Sequence, residues 1–241
     1  SVPLNLLPEI GFPKESQEQQ AFLARSPVVV FSPNGEWLIL GFDRGALVID
    51  IAARVADVTS PTANANPTPA PADAPASPAI TLEAELTDAA WHPTGQILAV
   101  ASDSSIRLFS DALQEIALLA GPNTSVTELA WHPAGSQLAT VSRHARNLID
   151  IWDWDPRQNS LILHTTLTTS FDWVTALTWN PHGSQLAFIG HEQPAGYLSD
   201  TGIVQVWDTA RWVNSGVLPG PFMPALDAIA WSPEGDYLAI G

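Results

Sequence analysis

Residues 131–138 read WHPAGSQL, and the same skeleton occurs four more times, as FSPNGEWL (31–38), WHPTGQIL (91–98), WNPHGSQL (179–186) and WSPEGDYL (231–238). Each copy opens on an aromatic residue and places Pro two positions later. Gly follows at the fifth position (Gly35, Gly95, Gly135, Gly183, Gly235) and Leu at the eighth (Leu38, Leu98, Leu138, Leu186, Leu238). Four fixed positions in five copies define an internal repeat, the mark of a fold built by stacking one small unit. The openings lie 60, 40, 48 and 52 residues apart. Setting aside a Pro/Ala-rich stretch of about twenty residues brings the first interval back to about 40 as well.

Working outward from the repeated octet, each unit reads as a short antiparallel sheet. An apolar run such as 126–131 or 174–179 ends at the Pro, which has no N–H to give a ladder. The Gly two residues on supplies a positive φ for a tight turn. A second run follows (37–41, 97–101, 137–141, 185–190, 237–240), then a polar turn and a third run (46–51, 106–109, 148–152, 203–207). A weaker fourth run lies at 80–86, 113–119, 161–167 and 213–218. Four short strands in about 40 residues make one propeller blade. The first strands are small or apolar on both faces, as strands covered on each side by neighbouring blades should be.

On these residues, the stretch 28–241 resembles the WD-repeat β-propeller family. Third strands close on Ile151-Trp152-Asp153 and Val206-Trp207-Asp208, with Ile49-Asp50 and Phe109-Ser110 as degenerate versions. Asp43 and Asp103 match the family's Asp in the turn before the third strand. No Gly-His pair precedes a first strand, so the family's buried Asp–His–Ser–Trp network is expected to be incomplete. The TolB-like propeller repeat is a close rival, sharing Ser-Pro-x-Gly at 32–35 and 232–235, and the two Trp-Asp closings favour the WD reading. The resemblance implies an all-β propeller of four-stranded antiparallel blades, about four and a half of them in this chain. A seven-bladed ring needs roughly 300 residues, so the expectation is part of such a ring, with exposed terminal blades and a tendency to self-associate. The competing expectation is that residues 1–27, otherwise an N-terminal extension with a short helix over 14–25, close a five-bladed ring. Residues 58–79 (VTSPTANANPTPAPADAPASPA) are expected to be a disordered Pro/Ala-rich loop between the third and fourth strands of the first blade.

Composition narrows the chemistry. The 241 residues carry a net charge of −16 and a single lysine, Lys14, which disfavours binding to phosphate backbones or anionic lipid. No apolar run approaches the ~20 residues of a membrane helix. Absence of cysteine excludes disulfides, thiol catalysis and Cys-ligated metals. Lys14 has no glycine-rich lead-in, no Gly-x-Ser-x-Gly elbow occurs, and His191-Glu192 runs straight into Gln193-Pro194. His92 and His132 fall in equivalent turns a blade apart, and Asp150, Asp153 and Asp155 lack the Gly and Glu of a calcium loop. No catalytic residue, metal ligand or cofactor is therefore expected. Scarce lysine and the Pro/Ala stretch fit a GC-rich bacterial source; cytoplasm and cell exterior both stand as compartments.

Of the ten tryptophans, six (Trp91, Trp131, Trp179, Trp231, Trp152, Trp207) are tied to the repeat register and are expected in the core, while Trp154, Trp173 and Trp212 lie outside the repeated positions and are free for other work. In such a propeller the turns between second and third strands share a rim with the blade-to-blade connections. Arg143, His144 and Arg146 occupy one such turn, Phe171 and Trp173 the following connection, and His191 and Tyr197 the next turn. Arg, Trp and Tyr are enriched in binding hot spots, and loops on rigid scaffolds concentrate function. This rim is the candidate surface for a protein or peptide partner of acidic character. The expected function is that of a non-enzymatic interaction scaffold; its rival is a TolB-like or hydrolase-associated propeller supporting a catalytic domain elsewhere.

Overall fold

A computed structural model describes residues 28–42, 45–51, 79–82, 84–103, 105–120, 125–143, 148–169, 171–192, 201–218 and 226–241. The expected segments 1–27 and 58–78, together with Asp43, lie outside these residues. Its strands form successive antiparallel sheets. The first contains β1 (Val28–Phe31), β2 (Trp37–Phe42), β3 (Gly45–Asp50) and β4 (Ala79–Thr81). The second has β5 (Leu86–Trp91), β6 (Ile97–Ser102), β7 (Ser105–Ser110) and β8 (Glu115–Ala120). The third has β9 (Ser125–Trp131), β10 (Gln137–Arg143), β11 (Leu148–Asp155) and β12 (Ser160–Thr168). The fourth has β13 (Trp173–Trp179), β14 (Gln185–Glu192), β15 (Thr201–Asp208) and β16 (Val213–Leu218), and the last pairs β17 (Ile229–Trp231) with β18 (Leu238–Ile240). The four runs per repeat are thus the four strands of a blade, in sequence order. Among the described residues no helix is long and apolar enough to cross a membrane.

Two compact units divide the chain, residues 1–86 and 87–241. In the first, Ile39, Leu40, Ala46 and Val48 are fully buried within the sheet β1–β4. In the second, first strand packs beside first strand, β9 against β13 and β13 against β17. Apolar clusters fill each seam: Leu108, Val126, Trp131, Leu138 and Trp152 in one, Ile149, Ile151, Phe171, Trp179 and Phe188 in the other. Burying a side chain of that size is worth about 1.5–3 kcal/mol. The seams are therefore the stabilising core.

The repeated octet has a second job at these seams. His92 Nε2 donates to the Gly135 carbonyl (3.0 Å) of the next sheet while its Nδ1 accepts the Thr94 N–H. His132 repeats the arrangement with the Gly183 carbonyl (3.2 Å) and the Ala134 N–H. Asn180 does it with an amide, Nδ2 donating to the Gly235 carbonyl (3.1 Å) and Oδ1 accepting the His182 N–H. Each imidazole also meets the next opening tryptophan edge-on, His92 with Trp131 at 4.9 Å and His132 with Trp179 at 4.7 Å. The indoles answer in reverse: Trp131 Nε1 donates to the Ala90 carbonyl and Trp179 Nε1 to the Ala130 carbonyl. His92 and His132 are held below the usual imidazole pKa by burial, the glycine carbonyls opposing it. Neutral rings suit this donor-and-acceptor pattern.

Positive φ explains only half of the glycine requirement. Gly135 and Gly183 have φ of 72° and 73°, but a Cβ on either would also collide with the imidazole of the preceding sheet. A second staple lies at the other end of the first strands. Thr87 Oγ1 donates to the Val126 carbonyl (2.6 Å) and Thr175 Oγ1 to the Leu226 carbonyl (2.9 Å). Thr175 is the bulged residue of its strand, and a bulge re-aims a side chain.

Because Asn180 shows that an amide can take the histidine's place, His132→Asn should retain most of the seam. His132→Ala should lose the hydrogen bond and the ring contact, about 1–2 kcal/mol or roughly 3–8 °C in melting temperature. Thermal unfolding followed by circular dichroism checks both; equal melting temperatures for the two variants would remove the staple's role.

Candidate loop rim and the inner-strand carboxyls

Strand direction alternates, so the turns after second strands and the connections into first strands share one rim. Register fixes two points on it. Arg143, the last residue of β10, pairs with Ser125 at the start of β9, and His191 near the end of β14 pairs with Trp173 at the start of β13. The Trp173–His191 pair is a parallel stack, ring centroids 5.5 Å apart and planes 10° from each other. The imidazole beneath is buried, with Nε2 3.1 Å from both Thr175 Oγ1 and the Leu226 carbonyl. The His191 carbonyl accepts the Asp172 N–H (2.8 Å), closing the loop entry. Trp173 is half-buried, one face held by the imidazole.

The predicted site residues therefore separate. Phe171 is 3% exposed and belongs to the seam cluster, where a Cβ on Gly190 would collide with its ring. It supports the rim from below and offers a partner nothing. His191 is likewise a buried support. Trp173 is the described member with an open flank. Arg143 is described only through its backbone, and His144, Arg146 and Tyr197 lie outside the described residues.

Other readings change as well. Trp154 and Trp212 pack edge-on over Trp131 (6.0 Å) and Trp179 (5.9 Å), so they extend the core. The Asp150 carboxyl is buried and accepts the Thr166 hydroxyl (2.6 Å). Burial raises its pKa. Asp153, by contrast, is exposed and paired with Gln137 and His164 (2.8 and 2.9 Å). Of the family's buried network, the link from Trp152 Nε1 to Thr140 Oγ1 is present at 3.1 Å. Asp103 sits at φ 51° and its carbonyl accepts the Val126 N–H of the next sheet. Among the described residues no three His, Asp or Glu side chains converge on a metal-sized site.

Sequence reading missed two carboxyls on the innermost strands. Asp88 on β5 accepts the Ala89 N–H and, across the seam, the Leu129 N–H, both at 2.7 Å. Burial outweighs these bonds and pushes its pKa up to about 7. Glu128 on β9 is pushed to about 8, by burial first and by the charge of Asp88 second. Both stand three residues before the opening tryptophan, in strands otherwise small and apolar. That shared offset is the signal that marks them.

The sequence profile of the WD domain, G-beta repeat, matches residues 77–110 and 113–153. These are WD repeats. Around them the chain has a β-propeller fold, its four-stranded antiparallel sheets following one another along the sequence. No curated protein sequence matches the chain. Among solved structures, a chain of the mitotic checkpoint complex superposes with a TM-score of 0.66 at 18% identity, covering 89% of this chain and 56% of that one. The hydrazine synthase of Kuenenia stuttgartiensis does so with a TM-score of 0.71 at 14% identity, covering 90% of this chain and 61% of the other. The WD-repeat chain thus spans little more than half the length of these neighbours, and identities this low establish the fold alone.

The carboxyl pair makes stability depend on pH. A carboxyl that binds its proton more tightly when folded contributes stability at low pH, lost as pH rises from the unfolded value towards the folded one. Unfolding free energy should therefore fall between about pH 4.5 and pH 8. Glu128→Gln should recover on the order of 2 kcal/mol at pH 8.5 and little at pH 5. Denaturant titrations at the two pH values measure this, and an equal gain at both would disprove the linkage.

Proposed function

We propose that this WD-repeat propeller is a non-enzymatic scaffold that holds a protein or peptide partner of acidic character on the rim of Arg143, His144, Arg146, Trp173 and Tyr197. The observation that carries the proposal is the Trp173–His191 stack, an aromatic fixed at the start of a blade by a buried imidazole. A preorganised aromatic contributes contact area at low entropic cost. WD-repeat propellers typically serve protein interaction, which supports the scaffold role. Two arginines in the 143–146 turn are a local concentration of positive charge in a chain of net charge −16. They favour acidic segments and, as rim charges, act mainly on association rate and specificity.

Capture of acidic, aromatic-containing peptides from a synthetic array tests this reading. The Arg143→Ala/Arg146→Ala double variant should lose about tenfold in affinity, a loss that rising salt reproduces in the wild type. Trp173→Ala should lose at least as much while melting within a few degrees of the wild type. Unchanged capture by the double variant would discard the rim.

A further inference from the structure

We propose that the seam between the third and fourth sheets is an acid-sensitive latch: protonation of His132 loosens it and parts the two halves of the loop rim, releasing a bound partner. The release rests on the rim reading above, whereas the latch does not. Arg143 ends β10 of the third sheet, and His144 and Arg146 follow it directly. Trp173 opens β13 of the fourth sheet, and Tyr197 falls between β14 and β15. A partner that touches both halves needs β9–β12 held against β13–β16, and His132 is one of the side chains that hold them.

Donor and acceptor roles at this ring are fixed by its partners. A backbone N–H only donates and a carbonyl only accepts. The Ala134 N–H on Nδ1 (3.0 Å) and the Gly183 carbonyl on Nε2 (3.2 Å) therefore require the neutral Nε2–H tautomer. A second proton, on Nδ1, would face the Ala134 N–H, donor against donor. The charged ring has to turn, giving up the Gly183 carbonyl across the seam and the edge-on contact with Trp179. The equivalent positions escape this conflict. At His92 the Thr94 hydroxyl lies 2.8 Å from Nδ1 and can rotate to accept its proton, a group that Ala134 lacks. Asn180 bonds the Gly235 carbonyl through an amide, which does not titrate.

Burial already holds the His132 pKa below the usual imidazole value of 6.5, with the Gly183 carbonyl opposing. A group lowered in this way contributes stability above that value and loses it as pH falls further. Neighbouring charges are engaged elsewhere. In the fourth sheet His182 reaches the Glu234 carbonyl and Asp208 accepts the Arg211 N–H. In the third, Asp150 holds Thr166, Asp153 holds Gln137 and His164, and Asp155 accepts the Arg157 N–H. Asp88 and Glu128 on the inner strands have raised pKa values and act in the opposite sense. At the rim end of the seam lie Asp172 and His191, the latter beneath Trp173.

The test compares the wild-type chain with His132→Asn, which copies Asn180 and keeps the bond without the charge. Nuclear magnetic resonance of the histidine rings should find the Nε2–H tautomer at His132 at pH 7.5 and a titration midpoint below that of free imidazole. Between pH 7.5 and pH 5.5 the wild type should lose several degrees of melting temperature relative to His132→Asn. Asp88, Glu128, His144 and His191 titrate in both proteins and cancel from this difference. Acidic peptides from the array should bind both proteins equally at pH 7.5, and the wild type about tenfold more weakly than His132→Asn at pH 5.5. A melting difference that does not change with pH, or a His132 midpoint at or above that of free imidazole, would overturn the latch. Capture that falls equally in both proteins while the melting difference opens would overturn the release. No capture at either pH would discard the rim reading and the release with it, and the melting comparison would still decide the latch.

Discussion

The structure of residues 87–241 depends on one contact, repeated at each seam and reciprocal at two of them. The residue after the opening tryptophan donates to the carbonyl of the next blade's turn glycine, and in two seams the next tryptophan donates back to the carbonyl of an inner-strand alanine. Each of these bonds has its acceptor in a different sheet, so no blade satisfies these side-chain donors by itself. A blade alone would leave an imidazole and an indole N–H unsatisfied at about 1–3 kcal/mol each. Stacking units that complete one another only in contact gives cooperativity to an otherwise nearest-neighbour architecture.

This coupling explains why the octet varies so little at some positions and freely at others. His92, His132 and Asn180 differ chemically yet present one donor and one acceptor at the same spacing. Gly135 and Gly183 have no such latitude, because both the positive φ and the imidazole packed against the Cα exclude a side chain. Threonine at the opposite end of the first strands supplies a second, smaller bond across the seam. Asp88 adds a third kind of bridge by accepting the Leu129 N–H, at the cost of burying a carboxyl beside Glu128.

Much of the fold was legible in sequence, since Pro, Gly and alternating apolar runs act locally. Strand order, the turns, and burial of Trp91, Trp131, Trp152 and Trp179 follow from that punctuation. Side-chain contacts between different strands were not legible. Trp154 and Trp212 looked unassigned because their partners, Trp131 and Trp179, lie in other strands of the register. Phe171 looked like a loop aromatic because sequence cannot tell that the space above Gly190 is filled by its ring. Asp88 and Glu128 were hidden for a related reason: periodicity flags apolar faces, and a carboxyl in an apolar strand registers as noise until its offset from the tryptophan is compared between units.

The two rims of the blades are consequently unequal. On the Pro-x-Gly side, His92, His132 and Asn180 are committed to seams, and Trp154 and Trp212 lie over the opening tryptophans. Change there is felt by two blades at once. On the opposite side the connections differ in length from unit to unit, and their described roots are anchored through the Asp103 carbonyl, the Asp172 N–H and the Trp173–His191 pair. A loop carried on a rigid ladder can acquire arginines or aromatics without disturbing the strands beneath. The same packing that fixes one rim as structure therefore leaves the other as the place where a binding surface can form.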